Sequence, residues 1–176
     1  MTKKTVILYS STDGQTLKIC QEIKVQLELK GLNTDLFSVD DTTINLKQYS
    51  LIIIGASIRY GVHHKKIIEF INSSKTLLDT VKTVFFSVNL VARKPEKNTP
   101  STNPYVIKFF KNIDWKPTLV EVFAGKLDYK KYPFFDRVMI QFIMWITKGP
   151  TNTDTEIEYT DWKKVQSFSE KIVAIA

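Results

Sequence analysis

Ser10-Ser11-Thr12-Asp13-Gly14-Gln15-Thr16 decides the fold. An apolar run, Val6-Ile7-Leu8-Tyr9, precedes it, and Leu17, Cys20, Ile23 and Leu27 follow at three- and four-residue steps. Strand, hydroxyl-rich turn and amphipathic helix in that order make a phosphate-binding unit. The helix start offers unpaired backbone N–H groups and a partial positive charge. Ser10, Ser11, Thr12 and Thr16 add hydroxyl donors, and Gly14 allows close backbone approach. The loop has no G-x-x-x-x-G-K-S/T, so no lysine reaches toward β- and γ-phosphates. It has no G-x-G-x-x-G, so a pyrophosphate is not the obvious ligand. What remains suits a single phosphate monoester. Asp13 serves as a cap or as partner of a ligand hydroxyl, not as a phosphate ligand by charge. An ordinary Ser/Thr/Asp helix cap uses the same residue types, so the loop alone leaves cap and cradle both open.

The first strand is expected at 5–9, and further strands at 35–39, 51–55, 83–88 and 118–124. The run Leu51-Ile52-Ile53-Ile54-Gly55 is continuously apolar, as a strand buried on both faces requires. Helices are expected at 15–30, at 63–73 with Ile67, Ile68 and Ile71 inward, from Pro104, and from a Thr160 cap to 175. Residues 40–50 and 90–103 read as polar connections. Strands alternating with helices imply a parallel sheet covered on both faces. Five strands with the phosphate loop after the first fit an α/β, flavodoxin-like order, 2-1-3-4-5. In that order the ligand, FMN in flavodoxin itself, lies outside the carboxyl ends of strands one and three. The 176 residues make one domain, with an insertion at about 126–150.

Two later loops join the first at that sheet edge. Ser57-Ile58-Arg59-Tyr60-Gly61 supplies amides, a glycine and a ring that either stacks on a flat ligand or is a plain surface tyrosine. Ser87-Val88-Asn89-Leu90-Val91-Ala92 supplies Asn89 for edge hydrogen bonds, followed by the cations Arg93 and Lys94. His63 and His64 have no carboxylate or cysteine cluster with them, so no metal site is expected. The single cysteine, Cys20, reads as inert packing. The start runs straight into a strand without a secretory pattern, and no apolar stretch reaches ~18 residues. The expected setting is reducing and cytoplasmic.

Residues 88–150 hold 11 Lys/Arg against 5 Asp/Glu, and the rest of the chain 14 against 13. A concentrated basic region calls for an anionic partner: a lipid surface, nucleic acid or an acidic small molecule. Within it, Lys130, Lys131, Phe134, Phe135 and Arg137 lead into a helix that is apolar nearly all round and contains Ile143 and Trp145. It is too short to span a bilayer. A buried core helix, an interfacial segment and the wall of a lipophilic pocket all fit that pattern. Basic ends and little spare interior favour an anionic lipid surface.

Four blocks carry a resemblance that covers nearly the whole chain: S-T-D-G-Q-T at 11–16, I-G-A-S-I-R-Y-G at 54–61, S-V-N-L-V-A-R-K-P-E-K at 87–97 and Y-T-D-W at 159–162. The sequence resembles the flavodoxin-like, menaquinone-dependent protoporphyrinogen IX dehydrogenases. Thr12 is a mild departure, where a better-known relative carries arginine. The resemblance implies non-covalent FMN held by 10–16, 57–61 and 87–92. It implies oxidation of protoporphyrinogen IX with menaquinone or ubiquinone as acceptor, for haem synthesis, at the cytoplasmic face of a bacterial inner membrane. Nucleic acid is not an expected partner. Arg59, Arg93 and Lys94 are then candidates for substrate propionates, and Lys130, Lys131, Phe134, Phe135, Arg137, Ile143 and Trp145 for membrane or quinone. A flavodoxin-type electron carrier and an NAD(P)H:quinone reductase share the fold. The carrier usually presents an acidic face, and NADPH as donor distinguishes the reductase. A receiver domain would need an aspartate where Gly55 and Ala56 stand.

Overall fold

The computed structural model describes residues 4–41 and 43–176. The first three residues of the start read above, and Thr42 in the connection at 40–50, lie outside that description. The elements are β1 (Lys4–Ser10), α1 (Gln15–Leu29), β2 (Thr34–Ser38), β3 (Tyr49–Arg59), β4 (Val62–His63), α2 (Lys65–Leu78), β5 (Lys82–Asn89), α3 (Pro104–Asn112), β6 (Leu119–Ala124), β7 (Lys126–Asp128), α4 (Phe134–Ile146), β8 (Glu156–Glu158) and α5 (Trp162–Ile175). Five strands pair in parallel in the order β2-β1-β3-β5-β6. Counting only these along the chain gives 2-1-3-4-5. The sheet also has a sixth strand, since β4 folds back antiparallel on the end of β3. β7 and β8 form a separate antiparallel pair.

The alternation of side chains along a strand divides the interior into two layers. Ile7, Ile53 and Phe86 face Ile19, Ile23 and Leu27 of α1 and Val165, Phe168 and Ile172 of α5. Leu8, Ile52, Ile54 and Phe85 face Ile67 and Ile71 of α2 and Phe109 of α3. Both faces of β3 are therefore covered, which is why its sequence is apolar without interruption. Packing at Gly55 is tight: a Cβ there would lie 2.4 Å from Phe86 Cζ and 3.0 Å from Cys20 Sγ. Cys20 is buried, and burial pushes its thiol pKa up, as inert packing requires.

Several elements differ from the sequence expectation. β3 continues beyond Gly55 because Tyr60 and Gly61 close a two-residue turn, with φ of 51° and 77°. Positive φ at both positions matches the strand twist of a type I′ hairpin. The hairpin pairs Ile58 with His63 and Arg59 with Val62. His63 therefore lies on a strand, not on α2, and His64 is the α2 N-cap. This shifts the helix start to Lys65 and leaves Ile68 36% exposed, not inward. Asp161, not Thr160, caps α5, accepting from Lys164 N at 3.1 Å. Thr160 is buried instead, donating to Ala124 O at 2.8 Å. The connection at 90–103 contains two 3₁₀ turns, Leu90–Arg93 and Pro95–Lys97.

α4 is not a core helix. Met144 is fully buried, but Phe135 is 83% and Trp145 70% exposed. Tyr129 and Tyr132, which precede the helix, are buried with Leu127 and Met144 beneath it. The far end of α4 is held by Arg93, which donates to Thr147 O at 3.2 Å, to Thr147 Oγ1 at 2.9 Å and to Leu90 O at 2.9 Å. Among the described residues no helix is long and apolar enough to cross a membrane.

Candidate functional site

At the carboxyl ends of β1, β3 and β5 a cleft of about 820 Å³, its open mouth included, lies at the switch point of the sheet. The first wall is the loop before α1. Gly14 is the N-cap in the left-handed conformation, with φ of 87° and no side-chain cap. Ser11 Oγ accepts from Gly14 N at 3.1 Å. Asp13 is not a cap, since its carboxylate is held by Arg59 Nη1 at 3.0 Å. Ser11 Oγ also accepts a long bond from Leu17 N at 3.5 Å, and this helix start, with Ser11 and Thr16 lining the cleft, fits a phosphate. Ser10, Thr12 and Gly14 shape this loop without lining the cleft, and Thr12 Oγ1 lies 3.3 Å from Ser57 Oγ.

The second wall is Ser57, Ile58, Arg59, Tyr60 and Gly61, and the third is Val88, Asn89, Leu90 and Val91. Asn89 Oδ1 accepts from Ala92 N at 3.0 Å and so shapes the turn that follows β5. Ser87 and Ala92 lie behind this wall, both buried. Gln15 spans the base of the cleft, its Nε2 donating to Thr160 Oγ1 at 2.9 Å. This gives the Y-T-D-W block a role in the site that the cap reading missed.

Two of the three cation candidates, Arg59 and Arg93, are already engaged in the protein. Arg59 forms ion pairs with Asp13 and with Asp136 of α4. Partial burial opposes its charge, but the hydrogen bonds it donates to both carboxylates leave its pKa above the ordinary value. Tyr60 also donates to Asp136, so the tyrosine is tied to α4 as well as to the cleft. Arg93 is the clamp on α4 described above, and Lys94 does not line the cleft. Of the insertion residues, Ile143 lines the cleft, while Phe134, Phe135 and Trp145 lie on the exposed face. Arg137 donates to Tyr132 O at 3.3 Å. Lys130 and Lys131 are exposed beside Asp154 and Asp128, at 3.9 and 3.7 Å.

Sequence reading did not nominate Tyr105, Gly125, Lys126, Tyr132 or Ile140, which complete the lining. Gly125 and Lys126 follow the carboxyl end of β6, so the rule that placed the other loops would have found them. Tyr105 arrives by packing of α3, and no local pattern announces it.

A parallel sheet in this order, with a helix start facing two later loops across a cleft at the switch point, defines a flavodoxin-like α/β protein. Residues 6–154 match the flavodoxin domain family. Protoporphyrinogen IX dehydrogenase (quinone) of Escherichia coli K12 is 43% identical over 170 residues, 96% of this chain and 94% of that protein. The protein of the same name from Leishmania major is 44% identical over 98% of this chain and 75% of its own length. Oxidised flavodoxin 1 of Bacillus cereus superposes with a TM-score of 0.57 at 15% identity, covering 98% of each chain. The chain belongs to the flavodoxin-domain family that includes the protoporphyrinogen IX dehydrogenases (quinone).

Proposed function

We propose that this chain binds FMN non-covalently and oxidises protoporphyrinogen IX to protoporphyrin IX with a membrane quinone as acceptor, peripherally attached to the cytoplasmic face of a bacterial inner membrane. The observation that carries this reading is the two-sidedness of α4. One side lines the cleft with Ile140 and Ile143, and the other presents Phe134, Phe135, Phe142 and Trp145 to solvent. A helix of that kind lets a lipophilic acceptor pass from a bilayer to the cleft without crossing water. The two named relatives use the same pair of reactants by their names.

The residues fit the proposed cofactor. Ser11, Thr16 and the α1 N-terminus would hold its phosphate. The walls at 57–61 and 88–91 would enclose its ring. Bound FMN supplies two-electron chemistry at its isoalloxazine. Full oxidation removes six electrons and six protons from the porphyrinogen in three steps, and three quinones take them up as quinols. The chain contributes binding, orientation and an apolar wall that excludes water.

The test is an anaerobic assay of purified protein with protoporphyrinogen and a menaquinone analogue, followed by porphyrin fluorescence. Porphyrin should form only when both FMN and quinone are present. Failure to form porphyrin, with reduction of quinone by NADPH instead, would replace this reading with an NAD(P)H:quinone reductase.

A further inference from the structure

His63 is only 5% exposed, on the short strand β4. Its ring packs against Phe85 and Phe109, with centroids 5.6 and 4.6 Å away, and those two rings stack on each other at 4.9 Å. Burial in that setting pushes its pKa down to about 3, so the ring is neutral near pH 7. Its Nε2 lies 2.9 Å from Ser87 Oγ. The same oxygen accepts from Asn89 Nδ2 at 3.2 Å. Asn89 Oδ1 in turn accepts from Asn103 Nδ2 at 3.1 Å, and Asn103 Nδ2 also donates to Lys97 O at 2.9 Å. Asn103 Oδ1 caps α3 by accepting from Tyr105 N at 3.2 Å. All four polar side chains are buried.

This chain of bonds runs behind the cleft and links its second and third walls to the start of α3. Gly61 stands two residues before His63, Asn89 lines the cleft itself, and Tyr105 stands two residues after Asn103. A buried polar network holds one arrangement because any slip leaves a donor or acceptor without a partner in a medium that penalises it. A phenyl ring in place of His63 would keep the packing against Phe85 and Phe109 but would leave Ser87 without its outer partner.

We propose that His63 is a positioning residue for the cofactor slot: through Ser87 and Asn89 it sets the gap between the β3–β4 hairpin and the loop after β5. The proposal rests on the reading of the cleft as a flavin site. It touches no reacting atom, and its effect reaches the ligand only through the two walls.

The experiment compares wild type, His63→Phe, His63→Gln, Ser87→Ala and the double variant His63→Phe/Ser87→Ala. FMN affinity is measured by flavin fluorescence, the flavin midpoint potential by spectroelectrochemistry, and folding by thermal melts. His63→Phe is expected to weaken FMN binding at least fivefold and to shift the potential. His63→Gln, which keeps a hydrogen-bonding group toward Ser87, should restore affinity to within twofold of wild type. The double variant should bind no worse than Ser87→Ala, because residues in one network are not additive. Wild-type affinity and potential in His63→Phe would overturn the proposal, as would fully additive losses. If His63→Phe does not fold, Ser87→Ala decides alone: a loss of at least fivefold supports the link, and wild-type binding overturns it. Wild-type protein that binds no FMN would remove the flavin reading and this proposal with it, a result distinct from a wild type that binds and a variant that does not differ.

Discussion

Thr16 is buried, yet lines the cleft at the first turn of α1. A hydroxyl there is placed to donate to a phosphate, and a hydrogen bond to a charged group is worth ~1.5–3 kcal/mol. Thr16→Ala should therefore weaken FMN binding about ten- to a hundredfold, read by fluorescence titration. His63 makes a second, pH-dependent prediction. Its folded pKa is about 3, against ~6.5 in an unfolded chain. The unfolded state binds the extra proton between those values, so the stability associated with neutral His63 is complete above ~6.5 and is lost as pH falls toward 3. Urea melts of wild type should lose up to ~1.4 kcal/mol per pH unit in that window relative to His63→Gln. Parallel pH profiles for the two proteins would contradict this. Arg59 illustrates how context redefines a charge. Read alone it is a cation awaiting an anionic substrate; in the fold it is the joint between the loop before α1 and α4, through Asp13 and Asp136.

The elements divide by how local their causes are. β1, the loop, α1 and the uninterrupted apolar strand β3 were legible because each is announced by its own periodicity or turn chemistry. The β3–β4 hairpin was not, since its turn places Tyr60 where Asn or Gly is usual. Tyr60 is tied down by its bond to Asp136, 76 residues away, a contact that no local pattern encodes. The same limit applies to α4: an all-round apolar pattern does not say which face is covered, and only packing of Met144 over Tyr129 and Tyr132 selects it. Arg93 belongs to this level too. Its bonds to Thr147 and Leu90 hold the end of α4 against the loop after β5. Arg93→Ala should lower stability by about 1–3 kcal/mol and speed amide exchange at 143–149. Unchanged exchange together with lost turnover of the tetrapyrrole would instead make Arg93 a substrate cation.

At the scale of the whole molecule, the basic excess and the exposed apolar face occur in the same part of the chain. Phe134, Phe135, Phe142, Trp145 and Ile146 project from α4, and Lys130, Lys131 and Lys148 are exposed at its two ends. Two forces then act on any anionic bilayer, and they separate by salt. Charge attraction is roughly 1 kcal/mol per basic residue near the surface and fades within a Debye length. Burial of a large apolar side chain contributes ~1.5–3 kcal/mol and survives salt. Phe135→Ser and Trp145→Ser should each reduce flotation with anionic vesicles about tenfold or more even at 1 M salt, with thermal midpoints unchanged, because neither side chain packs in the interior. Lys130→Gln and Lys131→Gln should weaken flotation only at low salt. Ile143→Ser should act differently from Phe135→Ser, impairing quinone turnover more than flotation, since Ile143 faces the cleft. If the serine variants of the outer face melt at lower temperature and float as wild type does, the exposed side of α4 packs against protein, and the membrane reading fails.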